Sequence, residues 1–182
     1  MAQLGYEMVR YADDFVILCR SQSEAEQALI EISDWTAAAG LRLHPDKTRI
    51  VDATQRGGFD FLGYHFERGY RWPSAKSQRK FQDKIRAKTK RTNGHSLQRI
   101  ISGLVPIQRG WFEYFKHSQR SIFPTLDKWI RMRLRSVLRH RQKRKGRGRG
   151  KDHNRWPNAF FAEQGLFSLT TAYAQARQSS RR

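Results

Sequence analysis

The 182-residue chain carries 36 Lys and Arg against 16 Asp and Glu, a formal net charge of +20, and 38% of its residues are hydrophobic. No apolar run approaches the roughly 18 residues of a membrane span, and no basic stretch followed by an apolar one stands near the N-terminus, so neither a transmembrane helix nor a secretory signal is expected. The lone Cys19 excludes a disulfide framework within one chain, and a pI of about 11.0 with a mean hydropathy of −0.81 directs attention to a polyanionic partner: RNA first, DNA or an anionic membrane surface after it.

Tyr6, Met8 and Arg10 alternate toward Tyr11-Ala12-Asp13-Asp14, and Phe15-Val16-Ile17-Leu18-Cys19 follows. This pattern predicts a strand, a tight acidic turn and a second strand. Two adjacent carboxylates at a turn are costly unless a cation sits with them, and magnesium, which takes carboxylate and phosphate oxygens, is the cation expected. An ordinary Asp-rich hairpin is the plainer alternative, since Asp favours turns for its own backbone bonding. Ser23-Glu24-Ala25-Glu26 has capping-box spacing, Ala25, Leu29, Ile32 and Trp35 recur at helical intervals, and Gly40 suits a left-handed stop. A helix through Ala39 follows. Leu41 and Leu43 start a short strand that Pro45-Asp46 turns, and Thr48, Ile50 and Val51 resume one. Gln55-Arg56-Gly57-Gly58 is a turn, and Phe59 to about Phe66 reads as another strand.

The composition shifts near Trp72-Pro73. Residues 1–70 hold 7 basic and 11 acidic residues, net −4, whereas residues 71–182 hold 29 and 5, net +24. Ser77 to Arg91 reads as a helix with Phe81 and Ile85 inward and Arg79, Lys80, Lys84, Arg86, Lys88, Lys90 and Arg91 around them. Only Asp83 balances these cations, so phosphate contact is favoured over a solvated charged face. Ser96 caps a helix bearing Leu97, Ile100, Ile101 and Leu104. Pro106 is expected to interrupt it before Ile107, Trp111 and Phe115 begin another. Trp111, Phe112, Tyr114 and Phe115 are read as bundle core in preference to base-stacking platforms. Pro124 to about Arg144 is the longest helix, buried along Leu126, Ile130, Leu134 and either Val137 or Leu138, with Arg131, Arg133, Arg135, Arg139 and Arg141 on other faces. Lys143 to Lys151 is low-complexity Lys/Arg/Gly, expected to be flexible and to order on RNA. Trp156, Phe160, Phe161, Leu166, Phe167 and Leu169 supply apolar surface for docking back, and from about Gln175 a frayed basic tail is expected.

Taken in order, these segments resemble a known family. Tyr11-Ala12-Asp13-Asp14 with its following strand resembles the palm signature of reverse transcriptases. Gly40-Leu41-Arg42-Leu43-His44-Pro45-Asp46-Lys47-Thr48 and Phe59-Asp60-Phe61-Leu62-Gly63-Tyr64-His65-Phe66 resemble the next two palm motifs. Arg109-Gly110-Trp111-Phe112-Glu113-Tyr114-Phe115 resembles the core of the maturase thumb (domain X) of group II intron proteins. Trp156-Pro157-Asn158-Ala159-Phe160-Phe161 with Gly165-Leu166-Phe167-Ser168-Leu169 resembles their C-terminal end. Five ordered motifs make a specific signal where any one would be weak.

The resemblance implies an α+β architecture: a partial reverse-transcriptase palm (antiparallel hairpin, helix, strands) over 1–70, then an all-α thumb bundle over 71–142. A basic Gly/Arg linker over 143–155 and a docking segment with a basic tail over 156–182 complete it. It implies RNA-directed DNA synthesis, with Asp13 and Asp14 as catalytic, magnesium-holding carboxylates, Tyr11 near primer or nucleotide, and Lys47 as a proton donor to pyrophosphate. A plain surface-turn lysine is the alternative for Lys47. The fingers and first palm half of such enzymes, with a further catalytic aspartate, have no counterpart here. The chain therefore reads as the C-terminal part of a split or truncated enzyme, with an open sheet edge, weak magnesium binding and little or no polymerase activity alone.

The thumb implies binding of group II intron RNA in aid of splicing and mobility. The residues expected on RNA are Arg79, Lys80, Lys84, Arg86, Lys88, Lys90, Arg91, Arg109, Arg131, Arg135, Arg139, Lys143, Arg144 and Lys145. A DNA target, a fingers/palm polypeptide and a second copy of the chain are the further partners considered, with the bacterial cytosol or an organelle matrix as location. A non-catalytic RNA-binding module and a remnant without polymerase activity are the alternatives. There is no Cys-x-x-Cys pair, and no P-loop. His153-Asn154 is the only hint of a metal nuclease and it lacks partners.

Overall fold

The structure, a computed structural model, describes residues 5–179. The chain divides into two compact units with the boundary between Gly69 and Tyr70.

The first unit begins with strands β1 (Glu7–Tyr11) and β2 (Asp14–Leu18), paired antiparallel from Glu7↔Leu18 to Tyr11↔Asp14. Helix α1 (Gln22–Ala38) follows. Its cap lies two residues earlier than the sequence spacing suggested. The Ser21 hydroxyl accepts from the Glu24 amide at 3.1 Å, and the Glu24 carboxylate accepts from the Arg20 amide at 2.6 Å. The buried stripe is accordingly Ala28, Ile32 and Thr36, and Trp35, expected inside, is 58% exposed. The helix ends as predicted: Gly40 has φ +71°, its amide donates to Ala37 O, and Leu41 N donates to Thr36 O. That pair of bonds is the Schellman closure, which a left-handed Gly permits without Cβ strain.

The strands expected around Leu41–Leu43 and Thr48–Val51 do not form; this stretch is irregular, with a turn at 45–47. The strand expected over Phe59–Phe66 is two: β3 (Phe59–Phe61) and β4 (Tyr64–Glu67) pair antiparallel across a tight turn. Leu62 and Gly63 both have positive φ, +48° and +79°, the backbone that matches the twist of a two-residue hairpin. Phe59 and Phe66 stack across the pair with centroids 5.3 Å apart.

The second unit opens with β5 (Tyr70–Pro73), an extended segment that composition did not signal. Arg71 ties it to the turn before the fourth helix, donating from Nε to His117 O and accepting from Gln119 N. Helix α2 (Ala75–Lys88) starts at a Ser74 cap and stops at Thr89, short of the Arg91 expected. Helix α3 (Leu97–Phe115) is capped by Ser96 and runs unbroken through Pro106. The buried apolar stripe on either side of it outweighs the single backbone bond that proline removes. Helix α4 (Ile122–Arg141) starts two residues before Pro124. A proline in the first turn is tolerated because the amide it lacks has no intrahelical partner there.

Short helices α5 (Asp152–Arg155) and α6 (Asn158–Glu163) lead to α7 (Leu169–Ser179). Gln175 to Ser179, expected to fray, are helical, and residues 180–182 of the expected tail lie outside the described residues. Phe81 and Ile85 of α2, Ile101, Leu104 and Phe112 of α3, and Phe123, Leu126, Ile130, Leu134 and Val137 of α4 form one core with Trp156, Phe161 and Leu169. Each large apolar side chain so buried contributes about 1.5–3 kcal/mol. Trp111 stacks on Phe81 at 4.6 Å and meets Phe115 at 4.9 Å, so these rings are core; Tyr114 is the exposed member of the group.

Two polar devices bind the C-terminal segment to this core. The buried Asp127 carboxylate accepts from Leu169 N, Thr170 N and Ser168 Oγ at 2.9–3.1 Å, capping the start of α7. The loop at 143–151 is held as well, contrary to the flexible linker expected. Gly148 is buried and donates to Ser136 Oγ at 3.0 Å, and Arg139 donates from Nε to Lys145 O and from Nη1 to the buried Asp152 at 2.8 Å.

Candidate nucleic-acid interface

The β1–β2 turn presents Tyr11, Asp13 and Asp14 together at an exposed tip, with Tyr11 66% exposed. Ala12 takes φ +51°, and Arg10 Nε donates to Ala12 O at 2.9 Å, which steadies the turn from the β1 side. Neither aspartate side chain makes a hydrogen bond or ion pair among the described residues. Lys47 lies exposed in the separate turn after α1, its amide on His44 O, and no bond joins it to either aspartate.

As oxygen donors, Asp13 and Asp14 suit a divalent cation. They are only two, and no group of three His, Cys, Asp or Glu side chains that could hold a metal exists among the described residues. The pair thus fits as part of a donor set and not as a complete one.

The basic residues expected on RNA divide by exposure. Arg79, Lys80, Lys84, Arg86, Lys88, Lys90 and Arg91, from α2 and the loop after it, are all exposed, while Phe81 and Ile85 on the same helix are buried. Arg86 is steadied by Asp83 at 2.7 Å and by Gln82 at 3.1 Å. Arg109 is exposed with its guanidinium 5.5 Å from the Phe167 ring, and Arg131 is half-buried. Lys143, Arg144 and Lys145 are exposed, and Arg139 is largely committed to Asp152 and the Lys145 carbonyl.

Arg135 corrects the expectation made for it. Only 2% exposed, it donates from Nε to Trp156 O and from Nη2 to Asn158 Oδ1, both at 2.9 Å, and lies 5.2 Å from the centre of the Phe161 ring. Burial pulls its pKa below the usual arginine value. Its position on α4 turns it under the C-terminal segment, where the guanidinium serves as a fixed set of donors for otherwise unpaired oxygens. Nothing in the helical spacing separated it from Arg131 or Arg139. The signal that would have done so is the Trp-Pro-Asn run at 156–158, which supplies its acceptors.

Arg147, outside the set expected on RNA, stands beside the buried Gly148, and Arg133 has a role that its helical spacing does not signal. Arg133 donates from Nε to Thr89 Oγ1 at 2.6 Å and from Nη2 to Thr89 O at 2.9 Å, binding α4 to the end of α2. No helix among the described residues is long and apolar enough to cross a membrane.

Comparison with known families places two matches on this geometry. Residues 2–66, which include the acidic hairpin, match the family described as reverse transcriptase (RNA-dependent DNA polymerase). Residues 78–156, from α2 through α5, match the group II intron, maturase-specific domain. Curated proteins give no match to the chain.

Proposed function

This chain belongs to the group II intron reverse transcriptase/maturase family, and we propose that by itself it works as an RNA-binding maturase module that favours the folded, splicing-competent form of intron RNA. The observation that carries this reading is the division of α2 into a buried apolar stripe and an exposed cationic face balanced on that helix by Asp83 alone. Such a face repels itself in the free protein and is relieved by phosphates. Helices with basic outer sides suit the wide, shallow minor groove of A-form RNA, where backbone and 2′-hydroxyls are accessible. A cytosolic or organelle-matrix location fits this role.

Binding of a structured RNA by the full chain across a salt series tests it. With six phosphate contacts, log affinity falls against log salt with a slope of about −4 to −5, from roughly −0.7 to −0.9 per contact. A slope near zero removes the electrostatic basis of the proposal.

The unpaired Asp13 and Asp14 at an exposed turn support a second, enzymatic reading. Here the chain supplies part of a polymerase site that takes Mg2+, and a fingers/palm polypeptide or a second copy supplies the remaining carboxylate. Primer extension on an RNA template, beside an Asp13→Ala/Asp14→Ala control, separates the two. The module reading expects no extension by the chain alone. Extension by the wild type and not by the control would overturn that expectation.

A further inference from the structure

The end of α2, the middle of α4 and the 143–151 loop enclose a recess of about 250 Å3. Its walls include Arg86, Arg91, Arg133 and Arg147, together with Trp129 and Thr89, and no Asp or Glu side chain lines it. The four arginines come from three separate segments, the end of α2, the middle of α4 and the 143–151 loop. Arg133 is held by its two bonds to Thr89, which use Nε and Nη2 and leave Nη1 without a partner among the described residues. The guanidiniums of Arg86 and Arg133 lie 5.5 and 5.7 Å from the centre of the half-buried Trp129 ring, which fixes both cations by cation–π attraction. Arg147 arrives because its neighbour Gly148 is pinned to Ser136. A Cβ at position 148 would stand 2.4 Å from Arg135 Cβ, so a glycine is what lets the loop lie this close to α4.

Four guanidiniums around one small volume are unfavourable without a counter-ion. Asp83 outside the recess engages Arg86 and lies on its own helix; it offsets one charge of the four. Burial, reinforced by the charges of Arg86 and Arg91, lowers the pKa of Arg133. The arrangement is that of an anion site: forked donors converging from several directions, those of Arg86 and Arg133 held in place, of the kind that meets a tetrahedral phosphate through paired N–H bonds. Arg86 also lines a second, open groove along α2 with Gln78, Arg79, Gln82 and Asp83. Arg86 is thus common to the recess and to a groove lined by two arginines and one aspartate, a juxtaposition that suits one phosphate of a strand running along α2.

We propose that this recess is a phosphate-binding site that holds one backbone phosphate of the bound RNA. The assignment rests on the RNA-binding reading above, and two arms of one experiment keep them apart. In the first, inorganic phosphate is titrated into the full chain while the Arg133 Nε–H and Trp129 indole N–H resonances are followed. A saturable shift of both in the wild type, lost in Arg91→Gln/Arg147→Gln, is expected. Absence of a saturable shift, or the same shift in the double variant, overturns the site.

In the second arm, RNA affinity is measured across salt for the double variant and for Arg42→Gln/Arg56→Gln, which removes the same charge from exposed positions in the first unit. The recess variant is expected to bind at least about tenfold more weakly with a salt slope reduced by about 2, the control much less. Equal losses in the two variants, with the phosphate shifts intact, overturn the assignment to RNA and leave a site for a free phosphate. Failure of the wild type to bind RNA overturns the functional reading itself, while the phosphate arm still decides whether the recess takes the group.

Discussion

Replacing Gly148 by Ala tests how the basic loop is held. The added Cβ would lie 2.4 Å from Arg135 Cβ, 2.9 Å from Arg135 C and 3.1 Å from Ser136 N. Carbon atoms pack best at about 3.5–4.0 Å, so the loop must lift by roughly 1 Å or more. Two of the three contacts are backbone atoms of α4, a helix fixed in the core, so the loop is the part that yields. Overpacking of this kind costs about 1–3 kcal/mol. Lifting also breaks the buried bond from Gly148 N to Ser136 Oγ, adding about 0.5–1.5 kcal/mol. A net loss near 2–3 kcal/mol lowers Tm by roughly 4–12 °C in a chain of this size. Tryptophan fluorescence reports it, since Trp72, Trp111, Trp129 and Trp156 all lie beyond Gly69. Hydrogen exchange at the residue-148 amide should accelerate in parallel, and phosphate affinity should fall because Arg147 moves with the loop. Wild-type melting together with an equally protected residue-148 amide would mean that the loop does not press on the helix.

Asp127→Ala removes three bonds that cap α7 and leaves the Leu169 and Thr170 amides unpaired. A loss of about 2–4 kcal/mol is expected, read as faster exchange of those two amides ahead of the rest of the unit. Arg135→Met keeps the volume and removes the bonds to Trp156 O and Asn158 Oδ1. Urea unfolding should show a loss of about 1–3 kcal/mol, while the salt slope of RNA binding by the folded variant stays unchanged; a slope reduced by about 1 would return Arg135 to the RNA contacts. The Glu67 carboxyl is held below the usual carboxylate range, first by the Gly57 amide and then, against some desolvation, by His65. A depressed folded pKa stabilises most above the unfolded value, about 4.3, and that contribution is lost as pH falls through the folded value. Exchange of the Gly57 amide should accelerate across that acid range in the wild type, and Glu67→Gln should remove the dependence.

The elements that were legible in the sequence are those in which local signals agree. The β1–β2 hairpin follows from alternation around an acidic turn, and α1 ends where Gly40 can adopt positive φ. In α2, α3 and α4 the apolar spacing places Phe81, Ile85, Leu104, Leu126, Ile130 and Leu134 inside, as they are. The misread elements are those in which one local preference competed with the packing of a larger unit. Pro106 carries a strong breaking tendency, yet the α3 stripe on both sides of it is buried and holds the helix together. Trp35 matches the helical period, but α1 has a small buried stripe centred on Ala28 and Ile32, and so large a ring falls outside it. Leu41 with Leu43, and Thr48 with Ile50, alternate like strand residues without forming a ladder within the first unit.

For the candidate site, residue type was a better guide than residue role. Clustering of arginine in α4 and the following loop is plain in the sequence, but burial depends on which side of α4 the C-terminal segment covers. Arg131, Arg133, Arg135 and Arg139 lie within nine residues and meet four different surroundings. Arg135 satisfies oxygens of Trp156 and Asn158, Arg139 pairs with Asp152, Arg133 binds Thr89, and Arg131 is half-buried without such a partner among the described residues. A helix advances about 100° per residue, so neighbours in an arginine-rich stretch are sent to different faces, and only the acceptors that meet them decide which are structural. Gly148 shows the same dependence from the other side. In a run of Lys, Arg and Gly it has the look of a flexible linker residue, yet contact with Arg135 leaves no room for a side chain. Its meaning comes from a helix twelve residues earlier, and that relation places Arg147 among the arginines of the recess.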